Sequence, residues 1–271
     1  PPPVNLRPEE FPPSVSISSV QQHTGAQEDN SGPEPALQSN RTDTAPFSRG
    51  QGSVDASNQP QTPLQTEQSE QSEQLNSPIF HTVEESYFDD ALFIGDSRTV
   101  GLRDYGRLGA ADYFADEGMS VFNLFSTQTS DTGFCKTDLS GLLASKSYGK
   151  IYMMLGINEL GYSMDSLMNQ YKDVLSSIQA AQPEAKIILC ANLNVVEEKT
   201  KYASWLTSEN VTTLNSRIAQ MADGETIFYL DANTLFCDET GYLDEKLTED
   251  GVHPTGDGYQ LWAAWLNENG I

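Results

Sequence analysis

Ala91-Leu92-Phe93-Ile94-Gly95-Asp96-Ser97-Arg98-Thr99-Val100-Gly101-Leu102-Arg103-Asp104-Tyr105 joins an apolar run to a helix-compatible run through a single Gly-Asp-Ser turn. The opening residues are few and continuously apolar, which is how a strand buried on both faces reads. The run from Arg98 can start a helix. A strand-to-helix turn at Gly95 would expose the Ser97 hydroxyl at the carboxyl end of a sheet, where a helix amino terminus favours negative charge.

The same alternation repeats along the chain. Strands are expected at residues 92–95, 112–115, 150–155, 186–191 and 226–230, and helices near 98–105, 138–147, 165–181, 208–221 and 255–269. Five strands with intervening helices imply a five-stranded parallel sheet covered on both faces, a three-layer, flavodoxin-like α/β/α sandwich. Leu261, Trp262, Trp265 and Leu266 are expected on the apolar face of the last helix.

A serine hydroxyl is a poor nucleophile until a base takes its proton. The base needs a partner that fixes its tautomer, and the oxyanion needs donors set in advance. Of the three histidines, His23, His81 and His253, only His253 lies after residue 81, so it is the base available to Ser97. Asp250 precedes it by three residues, a spacing that lets one short loop carry both the imidazole and the carboxylate that orients its far nitrogen. Pro254 limits that loop's freedom. The residue two after Ser97 is Thr99, so Gly-x-Ser-x-Gly is absent, which argues against the nucleophile elbow of the α/β-hydrolases.

Each block alone has a purely structural reading. Gly-Asp-Ser is a common turn, Asp-x-x-His fits many surface loops, and Asn158, after Gly156-Ile157, fits a helix cap or an Asx turn. Joint placement distinguishes them, since each block lies just beyond the carboxyl end of an expected strand or in the last loop.

These residues resemble the SGNH hydrolases, also called GDSL esterases and lipases, a family named for a Ser, a Gly, an Asn and a His in separate blocks. The likeness covers roughly residues 88–269. It implies the same sandwich fold, with Ser97 as nucleophile and Asp250 and His253 completing the triad. It also implies an oxyanion hole formed by the backbone N–H groups of Ser97 and Gly118 and the side-chain amide of Asn158. Arg98 stands where the family name has leucine, and Glu159 follows Asn158 where aspartate is usual. Arg98 is expected at the cleft mouth, and it and Glu159 are candidate substrate contacts.

Residues 1–78 hold fifteen apolar residues of the AVILMFWYC set, no Tyr, Trp or Cys, and twelve of the fourteen prolines. Such a segment cannot bury enough apolar surface to offset its ordering entropy, and residues 65–74 are a low-complexity repeat. Residues 1–80 are accordingly read as a disordered Pro/Gln/Ser/Thr-rich linker and residues 81–271 as one hydrolase domain. The linker carries 3 basic against 10 acidic residues and the domain 12 against 29, within a chain of net charge −24. That sign disfavours nucleic acid and anionic lipid surfaces as partners and admits a neutral small-molecule or glycan ester.

Cys135, Cys190 and Cys237 cannot all pair and form no Cys-x-x-Cys; Cys190, ending an apolar run, is expected to pack as a small hydrophobe. The scattered histidines argue against a metal site, and no Gly-x-Gly-x-x-Gly or Walker pattern supports a nucleotide, so no cofactor is expected. Asn210-Val211-Thr212 fits an N-glycosylation acceptor. Residues 118–138, with Phe122, Phe125 and Phe134, are open to two readings, a substrate-facing loop or a packed connector. Residues 192–199 likewise read as an overhang of the site or as a solvated loop.

A flexible linker of this length reaches roughly 50 Å, enough to hold a domain away from an anchor. It resembles the spacer of a bacterial surface or secreted enzyme, with a membrane or cell-wall anchor upstream of Pro1. The expected activity is hydrolysis of short acyl esters, O-acetyl groups on extracellular or cell-wall carbohydrate first. An O-acyltransferase of the same fold and a catalytically silent glycan-binding module are the alternatives.

Overall fold

The computed structural model describes residues 80–129, 137–201 and 203–271. The linker reading of residues 1–79, and Phe134 and Cys135, lie outside the described residues. Strand β1 (Ala91–Gly95) is buried along its length, and α1 (Ser97–Tyr105) follows at once. The chain continues through β2 (Asp112–Ala115), β3 (Gln128–Thr129), β4 (Thr137–Asp138), α2 (Leu139–Ser145), β5 (Lys150–Met154) and α3 (Met164–Ala181). Then come β6 (Lys186–Cys190), α4 (Glu197–Thr200), α5 (Ser208–Ala219), β7 (Ile227–Leu230), α6 (Asn233–Phe236) and α7 (Gly256–Glu268).

The five longer strands form one parallel sheet in the order β2-β1-β5-β6-β7. Because side chains alternate across a strand, each strand serves both layers. Ile94, Met153 and Leu189 pack with Leu142 of α2, Tyr171 of α3 and Leu214 of α5. Their neighbours Phe93, Tyr152 and Ile188 pack with Leu102 of α1, Phe236 of α6 and Trp262 of α7. The continuous apolar runs in the sequence are therefore strands with no solvent face, and the result is the three-layer sandwich.

Several helices start on a side-chain cap. Asp138 accepts from Gly141 N–H at 2.7 Å, and Thr207 and Thr255 accept from Asn210 and Gly258 N–H at 3.1 Å each. Each such cap contributes about 1 kcal/mol. In α7 the buried face is Tyr259, Trp262, Ala263 and Leu266, a 3–4 spacing that leaves Leu261 outside it and 42% exposed. Leu261 therefore does not share the apolar face expected of it. α7 and α1 approach closely because position 101 is glycine: a Cβ there would stand 2.1 Å from the Tyr259 ring.

Two expected strand ends shift by physical causes. Thr226 is held outside β7 by Asp223, which takes both its N–H and its hydroxyl at 2.8 Å. Leu155, past the end of β5, turns its carbonyl to the Asn192 side-chain amide at 2.9 Å. The β3–β4 hairpin and α4 and α6 are additions, too short for any periodicity to signal. Cys190 is buried in the core with a free thiol that burial pushes up to about 12, and Cys237 is also unpaired. The Asn210 side-chain amide donates to Trp205 O at 2.8 Å. Among the described residues no helix is long and apolar enough to cross a membrane.

Candidate active site

The sheet order places three loops side by side at its carboxyl edge, those after β2, β1 and β5. In the loop after β1, Gly95 leaves no room for a side chain: a Cβ would lie 2.0 Å from Thr99 Oγ1 and 2.8 Å from Met154 O. That close packing makes the turn abrupt. Asp96 Oδ1 then accepts from Arg98 N–H at 2.9 Å and caps α1, so Ser97 occupies the first helical position. Its N–H is among the amides that have no intrahelical acceptor.

Ser97 Oγ lies 2.8 Å from His253 Nε2, and His253 Nδ1 lies 2.7 Å from Asp250 Oδ2. The second oxygen of Asp250 accepts from the N–H groups of Val252 and His253, both at 2.8 Å. Burial alone would raise the Asp250 pKa, but the hydrogen bonds from the His253 ring and these two amides hold it well below the usual carboxylate range. An ionised Asp250 requires a proton on Nδ1. That assigns Nε2 as the acceptor for the Ser97 hydroxyl.

The loop carrying Asp250 and His253 is itself fixed. Gly251 adopts a φ of +80°, its N–H donates to Thr248 Oγ1 at 2.9 Å, and its carbonyl accepts from Val196 N–H at 3.0 Å. A Cβ at 251 would meet Val196 Cγ2 at 2.6 Å, so glycine is needed for space as well as for conformation. Thr255 N–H donates to Leu247 O at 2.8 Å, closing the base of the loop just before α7.

Beyond β2 the chain stays registered with β1, Asp116 N–H donating to Gly95 O at 3.3 Å. It then turns through Gly118 at φ +70°. Gly118 N–H donates to no acceptor among the described residues, whereas Met119 N–H bonds Asp116 O at 3.2 Å. After β5, Gly156 at φ +116° opens a short 3-10 turn over Ile157–Glu159 that carries Asn158. The Asn158 amide is 7% exposed and donates to Met119 O at 3.2 Å, which ties it to the residue after Gly118 and leaves its second N–H available. Ser97 and Asn158 thus stand on adjacent strand ends, with the Gly118 loop on the next one over.

Arg98 and Glu159 are placed differently from expectation. Arg98 is 1% exposed, pointing inward, with Nη1 donating to Leu193 O at 2.8 Å. Burial lowers its pKa, opposed by the charge of Asp96 and by Tyr259 and Asp250. The second position of α1 faces the protein interior, so this side chain does not reach the cleft mouth. Glu159 is also 1% exposed, and its Oε1 accepts from Val121 N–H at 2.6 Å; burial pushes its pKa up to about 8. Both side chains serve the frame and neither faces solvent.

The two open loop readings resolve for the described residues. Val121 and Leu124 belong to the core and Phe122 and Phe125 pack against it, so residues 118–129 are anchored to the domain while Phe122 keeps a partly exposed face. Of residues 192–199, Glu197 and Glu198 at the start of α4 are exposed, whereas residues 192–196 are buried throughout. They include a polar network that sequence reasoning missed. Asn192 exchanges bonds with Asn215, its N–H to Oδ1 and its carbonyl from Nδ2, both 2.8 Å, and Asn194 N–H donates to Asn233 Oδ1 at 2.8 Å. The pair Asn192 and Asn194 after an apolar strand was the available signal, since buried asparagines must find partners. Among the described residues no group of three or more His, Cys, Asp or Glu is placed to hold a metal ion.

A sequence profile described as the GDSL-like Lipase/Acylhydrolase family matches residues 93–261, well over half of the chain, and the chain belongs to that family. Solved structures agree on the fold. A GDSL-like lipase from Bacteroides thetaiotaomicron is 18% identical with a TM-score of 0.51, over 73% of this chain and 92% of that one. A protein from Bacteroides fragilis, provisionally assigned as an acylhydrolase, is 16% identical at a TM-score of 0.51, with the same coverage of 73% and 92%. A Streptococcus pneumonia protein, provisionally described as platelet activating factor, is 19% identical at a TM-score of 0.52, over 68% of this chain and 88% of that one. No curated protein matches the chain.

Proposed function

We propose that the chain is a serine esterase that removes short acyl groups, O-acetyl first, from extracellular carbohydrate through an acyl-Ser97 intermediate. The observation that carries this reading is the continuous hydrogen-bonded line Ser97–His253–Asp250, with distances of 2.8 and 2.7 Å, beside free donors on the neighbouring strand ends. His253 Nε2 takes the hydroxyl proton as Oγ attacks the ester carbonyl carbon. The tetrahedral anion is held by the N–H groups of Ser97 and Gly118 and by Asn158 Nδ2. His253 then protonates the leaving alcohol, and a water deprotonated by the same nitrogen attacks the acyl-enzyme and releases the acid.

Two features support a neutral, sugar-like alcohol. Asp116 and Glu117, next to Gly118, are exposed and put negative charge at the rim, which disfavours a phosphate-bearing substrate. The Phe122 and Tyr162 rings, on the segments after Gly118 and Asn158, pair at 5.1 Å and offer partly exposed aromatic surface of the kind that lines ligand sites. The extracellular or cell-surface location rests on the composition of residues 1–78.

The test is hydrolysis of p-nitrophenyl acetate, butyrate and octanoate, with acetate release from acetylated xylan and peptidoglycan. Ser97-dependent turnover that falls with acyl length supports the reading, and preference for octanoate refutes the short-acyl part of it. Transfer of acetyl to added oligosaccharide in place of water would move the assignment to an acyltransferase.

A further inference from the structure

Glu159 is tied to two of the three segments from which oxyanion donors come. It follows Asn158 directly, and its Oε1 takes the N–H of Val121, three residues past Gly118. Its Oε2 is buried without a partner among the described residues, and so is Oδ2 of Asp96, the cap on which Ser97 and α1 begin. The two acids interact: next to burial, the charge of Asp96 works to keep Glu159 protonated.

A pair of buried carboxyl oxygens without partners on interacting acids is resolved by one proton. Two anions in the interior would repel and would each lack solvation. A proton on Glu159 Oε2 shared with Asp96 Oδ2 would satisfy both atoms. Burial raises the Asp96 pKa too, yet Asp96 is the member that keeps the charge, because the Arg98 guanidinium favours its ionised form and the Arg98 N–H bonds its other oxygen. Among the described residues the other titratable groups that act on or respond to Glu159 are Tyr162 and Tyr171, both with raised pKa and therefore neutral, and no cation among them offsets a negative charge on it.

We propose that Glu159 is a positioning residue for the oxyanion hole: its protonated carboxyl accepts from Val121 N–H and donates to Asp96 Oδ2. This braces the Gly118 loop, the Asn158 turn and the start of the Ser97 helix against one another. The proposal rests on reading Ser97, Gly118 and Asn158 as the oxyanion donors. Glu159 contacts no reacting atom. When it loses its proton, a second anion appears behind donors that must hold a developing negative charge, and the site weakens above about pH 8.

Glu159→Gln separates this role from simple packing, because the amide oxygen still accepts from Val121 and the NH₂ donates to Asp96 at every pH. The rate of Ser97 labelling by a fluorophosphonate is measured from about pH 6 to about pH 10, alongside kcat/KM for p-nitrophenyl acetate. The wild type is expected to lose about tenfold per pH unit on the alkaline side. Glu159→Gln is expected within about threefold of wild type at neutral pH and without that alkaline loss, while Glu159→Leu is slow at all pH through kcat rather than KM. An alkaline loss in Glu159→Gln equal to that of the wild type overturns the proposal.

Infrared spectra of the wild type across the same range give a readout that needs no variant. The C=O band of a protonated carboxyl should disappear as pH rises past about 8, and no titrating band overturns the proposal. A Glu159-dependent loss in labelling with no turnover of any ester overturns the esterase reading and leaves the brace standing.

Discussion

The substitution Asp250→Asn changes one atom of the site and should remove most of its activity. The amide oxygen would keep the two backbone N–H groups that Asp250 Oδ1 holds at 2.8 Å, so the loop has no reason to move. The other oxygen, 2.7 Å from His253 Nδ1, would become an NH₂ facing an N–H. Two donors cannot share that contact, and the ring relieves it by moving its proton to Nε2. That nitrogen, 2.8 Å from Ser97 Oγ, then carries a hydrogen and cannot take the hydroxyl proton. A carboxylate-to-amide change at such a position lowers kcat by about 10⁴, or about 5 kcal/mol of barrier. The assay is kcat on p-nitrophenyl acetate, with circular dichroism to show the fold intact. A kcat within about tenfold of wild type would refute the orienting role, because the tautomer argument allows no such modest effect.

Asn158→Ala removes one of the proposed oxyanion donors and is expected to lower kcat about a hundredfold with little change in KM, read from steady-state kinetics. Arg98→Leu should leave the ranking of acyl-chain lengths unchanged, since the side chain is buried against Leu193 O. It should lower unfolding stability by about 1–3 kcal/mol because the buried Leu193 carbonyl loses its donor; a changed ranking would restore Arg98 as a substrate contact. Asp223→Ala removes an acceptor for the N–H groups of Glu225, Thr226 and Ile227 and should cost about 1 kcal/mol at neutral pH. Burial works to raise the Asp223 pKa, but those bonds together with the one from the Thr226 hydroxyl outweigh it and hold the pKa down to about 2. Its stabilisation is therefore present above the usual 3.8 and lost as pH falls toward about 2, so the gap between variant and wild type in urea unfolding should close in acid.

The strands were legible because each is a continuous apolar run, and a run buried on both faces has few other homes than the middle of a sandwich. Their ends slipped by a residue where a side chain outside the strand captured a backbone group, as Asp223 does at Thr226 and Asn192 at Leu155. Two-residue strands such as Gln128–Thr129 carry no period at all. That Ser97, Asp250 and His253 would lie together was legible because the chain offers a single late histidine and a carboxylate at loop spacing from it. Arg98 and Glu159 were misplaced for the opposite reason. Charged residues are exposed by default, and only the position of each within its turn, facing Leu193 in one case and Val121 in the other, turns it inward. The asparagine network behind residues 192–196 joins positions up to 41 apart, and nothing local marks such partners.

The central claim is that Ser97 becomes acylated during turnover. The direct measurement is peptide mass spectrometry of protein quenched in acid within milliseconds of mixing with p-nitrophenyl acetate. An acetyl group on the peptide carrying Ser97 is expected, formed at the rate of the p-nitrophenol burst and absent from Ser97→Ala and His253→Ala. Undiminished turnover by Ser97→Ala, or acetyl accumulating at wild-type rate on another residue, would contradict the account.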